Sequence, residues 1–201
     1  SLAGAFLALF FAPFISKLIG KRNAAFVLAI VAVVFASAPY LLRLNGLFFE
    51  NGDPRLIFAV FFFSMMFLLC GVSSAVLTHA MIGDIVEESQ LRTGRRSEGL
   101  FYAANTLMQK STSGLGVFFA GMLVALVGIV PGSDPRTLDP EIARQLALVY
   151  VPALVILYIG GAGFLFAYRI DRASHEANVS ALEKRDRDTA TSLETAANPA
   201  E

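Results

Sequence analysis

Tryptophan is missing, cysteine occurs once, histidine twice, and only 16% of the 201 residues are charged. The single cysteine, Cys70, excludes an internal disulfide and leaves the redox compartment open. Sixteen basic residues balance sixteen acidic ones, so nothing in the charge argues for a nucleic-acid partner. The spacing yields no Gly-rich phosphate loop, no metal-ligand cluster and no nucleophile triad. The apolar runs hold no converging acid/base set of the kind an intramembrane enzyme needs, so an enzyme is not expected. A basic n-region is also lacking ahead of Leu2–Ile15, which makes that stretch a poor signal peptide. A chain that opens on Ser1 and is apolar at once reads as one that begins partway through a membrane helix.

What is present is apolar. Hydrophobic residues make up 56% of the chain and the mean hydropathy is +0.64, well above soluble norms. About five apolar segments predict membrane helices: Leu2–Ile15 (short, truncated), Ala24–Leu42, Leu56–Ala80, Leu100–Val130 and Ile142–Tyr168. Segments of this length are not what a soluble all-α bundle requires. The breaks between them are polar. Ser16–Asn23 is basic, Asn45–Arg55 carries the turn signals Gly46, Gly52 and Pro54, and Gly83–Glu98 is a densely charged loop. Pro131–Glu141, with three prolines, reads as an irregular loop. The expected organisation is a transmembrane bundle over residues 1–169. A polar tail over 170–201 follows, a short helical extension and then disorder.

Breakers lie inside the spans: Pro13, Pro39, Pro152, and the clusters Gly114/Gly116/Gly121 and Gly160-Gly161/Gly163. They fit close helix contact as readily as bending. The basic residues set an orientation. Lys17, Lys21, Arg22, Arg92, Arg95, Arg96, Arg169, Arg172, Lys184, Arg185 and Arg187 fall on one side; Arg43, Arg55, Arg136 and Arg144 fall on the other. The first side is therefore expected to be cytoplasmic, which places the C-terminus inside an inner-membrane, multi-pass protein. The tail's mixed charge does not make a polybasic lipid patch.

One charge stands inside an apolar run. Lys110 lies roughly 15 Å in from the start of Leu100–Val130, near the midplane of a hydrocarbon core about 30 Å thick. An ammonium there costs on the order of 2.5–3.5 kcal/mol. On a helical wheel Asn105, Thr106, Gln109, Lys110 and Ser113 share an arc of about 140°, with Gly116. Leu100, Phe101, Ala104, Leu107, Met108, Leu115, Phe118 and Phe119 oppose them, with Ser111 as the lone polar member of that face. A polar stripe at membrane depth suits sugar hydroxyls, carboxylates or water. A helix–helix seam with Lys110 paired to a carboxylate is the alternative. No acid lies in any apolar span of this sequence, so the partner must be further protein, a substrate or water.

The charged loop supplies a second constellation. Asp84, Glu87 and Glu88 share a face if the preceding helix continues, Arg92 follows Glu88 at helical ion-pair spacing, and Gly94 would end the turn. Such a run is either a solvated loop or a latch whose pairs break in each cycle. His79 reads as an interfacial or capping group and Cys70 as a small buried residue. Ser73, Ser74 and Thr78 either line a cavity or bond backbone.

The stretches Ala80–Glu88 (AMIGDIVEE) and Thr93–Tyr102 (TGRRSEGLFY), then Gln109-Lys110 and Gly114-Leu115-Gly116, resemble the sodium/melibiose branch of the major facilitator superfamily. That branch is the glycoside–pentoside–hexuronide:cation symporter family. The resemblance covers essentially the whole chain, as the last five helices, 8–12, of a twelve-helix transporter. It implies an all-α membrane fold and a secondary active transporter of a sugar or glycoside, working by alternating access. It places Lys110 close to the sugar and cation sites, and the wheel's Asn105, Thr106, Gln109 and Ser113 are then expected to line the pathway. Asp84, Glu87 and Arg96 match cytoplasmic charged positions that hold the two halves together, and Arg22 or Lys21 matches basic positions of the neighbouring loop; with Glu88 and Arg95 they form the expected cytoplasmic gate. Ser89-Gln90-Leu91 departs from the family's aromatic-containing segment. No cofactor is implied beyond a coupling cation, Na+ or H+, held mainly by carboxylates of an N-terminal half. The implied partners are that N-terminal bundle, a sugar-like solute and the lipid bilayer. A lipid or lysolipid carrier of the same fold is the alternative, and a purely structural bundle is the plainest one.

Overall fold

The computed structural model describes residues 2–95, 97–129, 132, 139–167, 180–181, 184 and 187. Five helices account for most of them: α1 (Leu2–Ile19), α2 (Lys21–Leu44), α3 (Pro54–Thr93), α4 (Glu98–Leu126) and α5 (Pro140–Phe164). A 3-10 turn, Leu165–Ala167, extends α5. The expected loop 131–141 lies outside the described residues except for 132 and 139–141, and so does most of the tail.

The helix ends follow local chemistry. Asp53 and Asp139 cap α3 and α5, each carboxylate accepting the backbone N–H two residues on, at 2.8 and 2.9 Å, with proline at the first helical position. α2 and α4 stop at glycines in the left-handed region, Gly46 (φ 68°) and Gly128 (φ 82°). At each, the glycine N–H and the next one reach back to orphan carbonyls: Gly46 to Arg43 and Leu47 to Leu42, Gly128 to Ala125 and Ile129 to Val124. The fourth helix therefore ends at Leu126, short of the Val130 expected from apolarity alone.

Two expected breaks are largely helical. α1 runs to Ile19 and α2 starts at Lys21, so the basic break Ser16–Asn23 shrinks to Gly20, at φ 81°. Ser, Lys and Arg tolerate helix well enough that only the glycine turns the chain. The charged stretch after Gly83 likewise continues α3 to Thr93, because Asp84–Arg92 holds no breaker. Gly94 ends it at φ 73°, its N–H donating to the Gln90 carbonyl at 2.9 Å. A helix of 40 residues is about 60 Å long, more than the bilayer with its headgroups, so one end of α3 stands clear of the membrane.

Packing centres on α2, which touches α1, α3 and α5. The core is built from small side chains: Ala12 of α1; Ala24, Ala25, Leu28 and Ala32 of α2; Cys70, Leu77 and Met81 of α3. Gly4, Ala8 and Ala12 repeat every fourth residue and are buried, so they line one face of α1. A Cβ on Gly4 would sit 3.1 Å from the Met65 carbonyl oxygen, which shows how closely α1 lies on α3. Ser74 donates from α3 to the Ala25 carbonyl of α2 at 2.8 Å, a polar tie between spans. Thr78 bonds its own helix at Ser74, and Ser73 is fully buried, so these hydroxyls serve packing rather than line a cavity. The glycine clusters of α4 and α5 meet no atom within 4 Å of a built Cβ, so they mediate no close contact among the described residues.

Three helical stretches are long and apolar enough to cross a membrane: Lys21–Leu44, Pro54–Thr93 and Glu141–Ala167. Phe6–Ile19 is a shorter apolar helix. α4 has the length, at 29 residues, but its polar stripe dilutes its apolarity. It touches α3 and α5 only lightly and buries none of its described side chains.

Candidate functional site

The stripe predicted on the fourth helix lies on α4. Lys110, Thr106, Gln109 and Ser113 are exposed and Asn105 is half-buried. Thr106 donates to its own helix, to the Tyr102 carbonyl at 2.8 Å. Among the described residues no carboxylate comes within ion-pair distance of Lys110. The apolar face behind the stripe, with Leu107, Met108, Leu115, Phe118 and Phe119, is equally exposed. The five polar residues thus stand on one helix face, and among the described residues no other helix encloses them.

The charged end of α3 is arranged differently. Asp84 is 4% exposed and accepts two hydrogen bonds from Lys21 Nζ, at 2.7 and 2.9 Å. Lys21, one of the two basic candidates at the start of α2, thus reaches Asp84. Arg22 lies 5.8 Å over the Phe166 ring, which itself packs on Phe26 at 4.9 Å, tying the end of α5 to α2. Glu87 and Glu88 are half-buried and Arg95 is exposed, while Arg96 falls outside the described residues. The helical spacing of Glu88 and Arg92 yields no ion pair. Lys21 is a pairing that sequence spacing could not supply, because 63 residues separate it from Asp84.

The opposite end of the bundle holds a cavity of about 420 Å³ between α2, α3 and α5. Aromatic rings dominate its wall, with Arg43, Asn51 and Ser64 as polar members. Arg43 donates to the Phe49 carbonyl and, at 2.9 Å, to Asn51 Oδ1. Tyr40 and Tyr150 meet edge to face at 5.5 Å across α2 and α5. Next to it Arg55 clasps Asp53, and the guanidinium's hydrogen bonds hold that carboxyl below the usual aspartate range. Sequence reading located Arg43 only as a basic residue on one side. Its place in a cavity depends on how α5 lies against α2.

Helices of this length and apolarity, tied by small residues and an interhelical hydroxyl bond, define a multi-pass membrane protein. The chain belongs to the MFS/sugar transport protein family, whose model matches residues 1–172. Members of that family are transporters, not enzymes. The chain is 34% identical over 133 residues to an uncharacterized symporter of Synechocystis, an overlap of 63% of this chain and 23% of that protein. It is 32% identical over 111 residues to a protein of Escherichia coli K12 provisionally named a 2,3-dihydroxypropane-1-sulfonate exporter, covering 55% of this chain and 24% of that one. A provisionally named sulfoquinovose importer of the same strain is 29% identical over 90 residues, 45% of this chain and 19% of that protein. The chain thus spans about a quarter of the length of these relatives. No solved structure matches it.

Proposed function

We propose that this chain is part of a cation-coupled symporter that moves a small sugar-like solute across the inner membrane by alternating access. The observation that carries the reading is Lys110, an ammonium on a polar helix face with no carboxylate of the described residues beside it. In this reading Asn105, Thr106, Gln109 and Ser113 bond solute hydroxyls, and Lys110 faces an anionic group or the coupling site. Two relatives carry the names of sulfonate transporters. A sulfonated sugar would give Lys110 a fixed counter-charge, which favours an anionic solute over a neutral one.

Uptake by the full-length transporter tests this. Lys110→Ala should lower uptake about 10- to 100-fold, the range for losing one charged hydrogen bond. Lys110→Arg should retain part of it. A sulfonated hexose should compete for wild-type uptake better than its neutral parent sugar. Near wild-type uptake in Lys110→Ala would sink the lysine's role. Replacing Na+ by choline, or collapsing the proton gradient, should stop accumulation in one case or the other, and accumulation that survives both would remove coupling.

The Lys21 end is the cytoplasmic one in this proposal, with the C-terminus inside, as the distribution of Lys and Arg favours. There Glu87, Glu88 and Arg95, beside the Lys21–Asp84 pair and Arg22, form a charged surface that meets the other half of the transporter when that side closes. Reversing Glu88 and Arg95 together should shift the inward- to outward-open ratio, read by accessibility of an introduced thiol. An unchanged ratio would leave these residues as solvated charge only.

A further inference from the structure

The cavity at the Arg43 end belongs to neither the α4 stripe nor the charged end of α3. α4 contributes no wall to it. Its depth is set by helix geometry. Lys21 and Arg43 lie about 33 Å apart along α2, so they bracket a hydrocarbon core of about 30 Å and leave Arg43 at headgroup level. Phe35, also in the wall, sits about 12 Å deeper on the same helix. On α3 the wall descends from Leu56 to Phe67, about 16 Å. The cavity therefore runs from the polar boundary into acyl-chain depth, charged at the top and aromatic below.

Arg43 is positioned but not neutralised. Its hydrogen bonds go to a carbonyl and an amide, and no carboxylate of the described residues pairs with it. Two of its five N–H donors are thereby used, which leaves the charge and the remaining donors for an anion. Tyr40 and Tyr150 stand near this level, where amphipathic rings favour the interface. The volume, about 420 Å³, is in the range of ligand sites lined by apolar side chains with a few polar groups.

We propose that this cavity binds an anionic phospholipid, with its phosphate on Arg43 and an acyl chain between α2, α3 and α5. The match is one of charge and depth together: a headgroup anion and a chain continue from one another at the same spacing as the guanidinium and the rings.

Native mass spectrometry of the full-length transporter in detergent, with phosphatidylglycerol or phosphatidylcholine added, tests it. The wild type should retain phosphatidylglycerol about fivefold better, the factor one basic side chain supplies toward anionic lipid. Arg43→Gln keeps donors for Phe49 and Asn51 but loses the charge, and should abolish the preference at an unchanged melting temperature. Leu154→Trp, which fills the cavity and spares Arg43, should abolish it as well. Arg144→Ala, at an exposed arginine paired with Glu141, should leave it intact. Equal retention of the two lipids by the wild type would overturn the proposal. So would a preference that survives either cavity variant, or one lost equally in Arg144→Ala. Glycerol 3-phosphate displacing phosphatidylglycerol at equal concentration would show a bare anion site and overturn the lipid assignment.

Discussion

Lys21 and Asp84 differ in what each leaves behind when removed. The Asp84 side chain is 5% exposed and that of Lys21 is 33% exposed. Lys21→Met strips this cation from a buried carboxylate, whereas Asp84→Asn leaves an ammonium that can turn to water. We expect Lys21→Met to cost about 2–3 kcal/mol and Asp84→Asn about 1 kcal/mol. Thermal unfolding of the full-length protein in detergent orders the two. Asp53 makes a pH prediction of known sign. The hydrogen bond from the Arg55 side chain, then that from its backbone, lowers the Asp53 pKa in the folded state. Its contribution to capping α3 is thus present above the ordinary aspartate pKa and lost as pH falls through the lowered folded value. The melting temperature should carry an acid-side decline that Asp53→Asn diminishes, while the two proteins run parallel at neutral pH.

At the scale of the helix, α1 is seated by the smallness of its face. Ala8 and Ala12 have no exposed surface, so Ala12→Leu has no room without moving α1 and should cost about 1–3 kcal/mol, read as a drop in melting temperature. At the start of α5, Asp139→Ala removes the carboxylate that accepts the Glu141 N–H and should cost about 1 kcal/mol by the same measurement. Five helices were legible in the sequence because apolar runs of membrane length leave few other structures open. Their ends were less so. Gly46 and Gly94 announced themselves as turn signals, but Gly128 sat inside an apolar run and its left-handed cap was hidden by the leucines and valines around it. The charged stretch after Gly83 looked like a loop because polarity and irregularity usually travel together. A helix that leaves the membrane is polar without being irregular. The small-residue face of α1 has a four-residue repeat that could have been read, but alanines in an apolar run carry no outward mark.

For the molecule as a whole, the contrast is between a tied trio, α1 to α3 with α5 against it, and α4, which buries none of its described side chains. The polar stripe of α4 was legible from the wheel, since residues on one helix determine their own face. What faces that stripe was not, because it depends on surfaces that the described residues do not hold in contact with it. Reconstituted by itself, the chain should give no sugar counterflow, whereas the full-length protein should, and counterflow from the isolated chain would show that α4 needs no further helices.

Gly20 has a consequence for biosynthesis. With a single residue between Ile19 and Lys21, there is no slack to leave one helix in the lipid while the next waits in the insertion machinery. We expect the two helices to enter the bilayer together, as a hairpin. Lengthening the turn at Gly20 with flexible residues should uncouple their insertion, read by glycosylation mapping of partly synthesised chains.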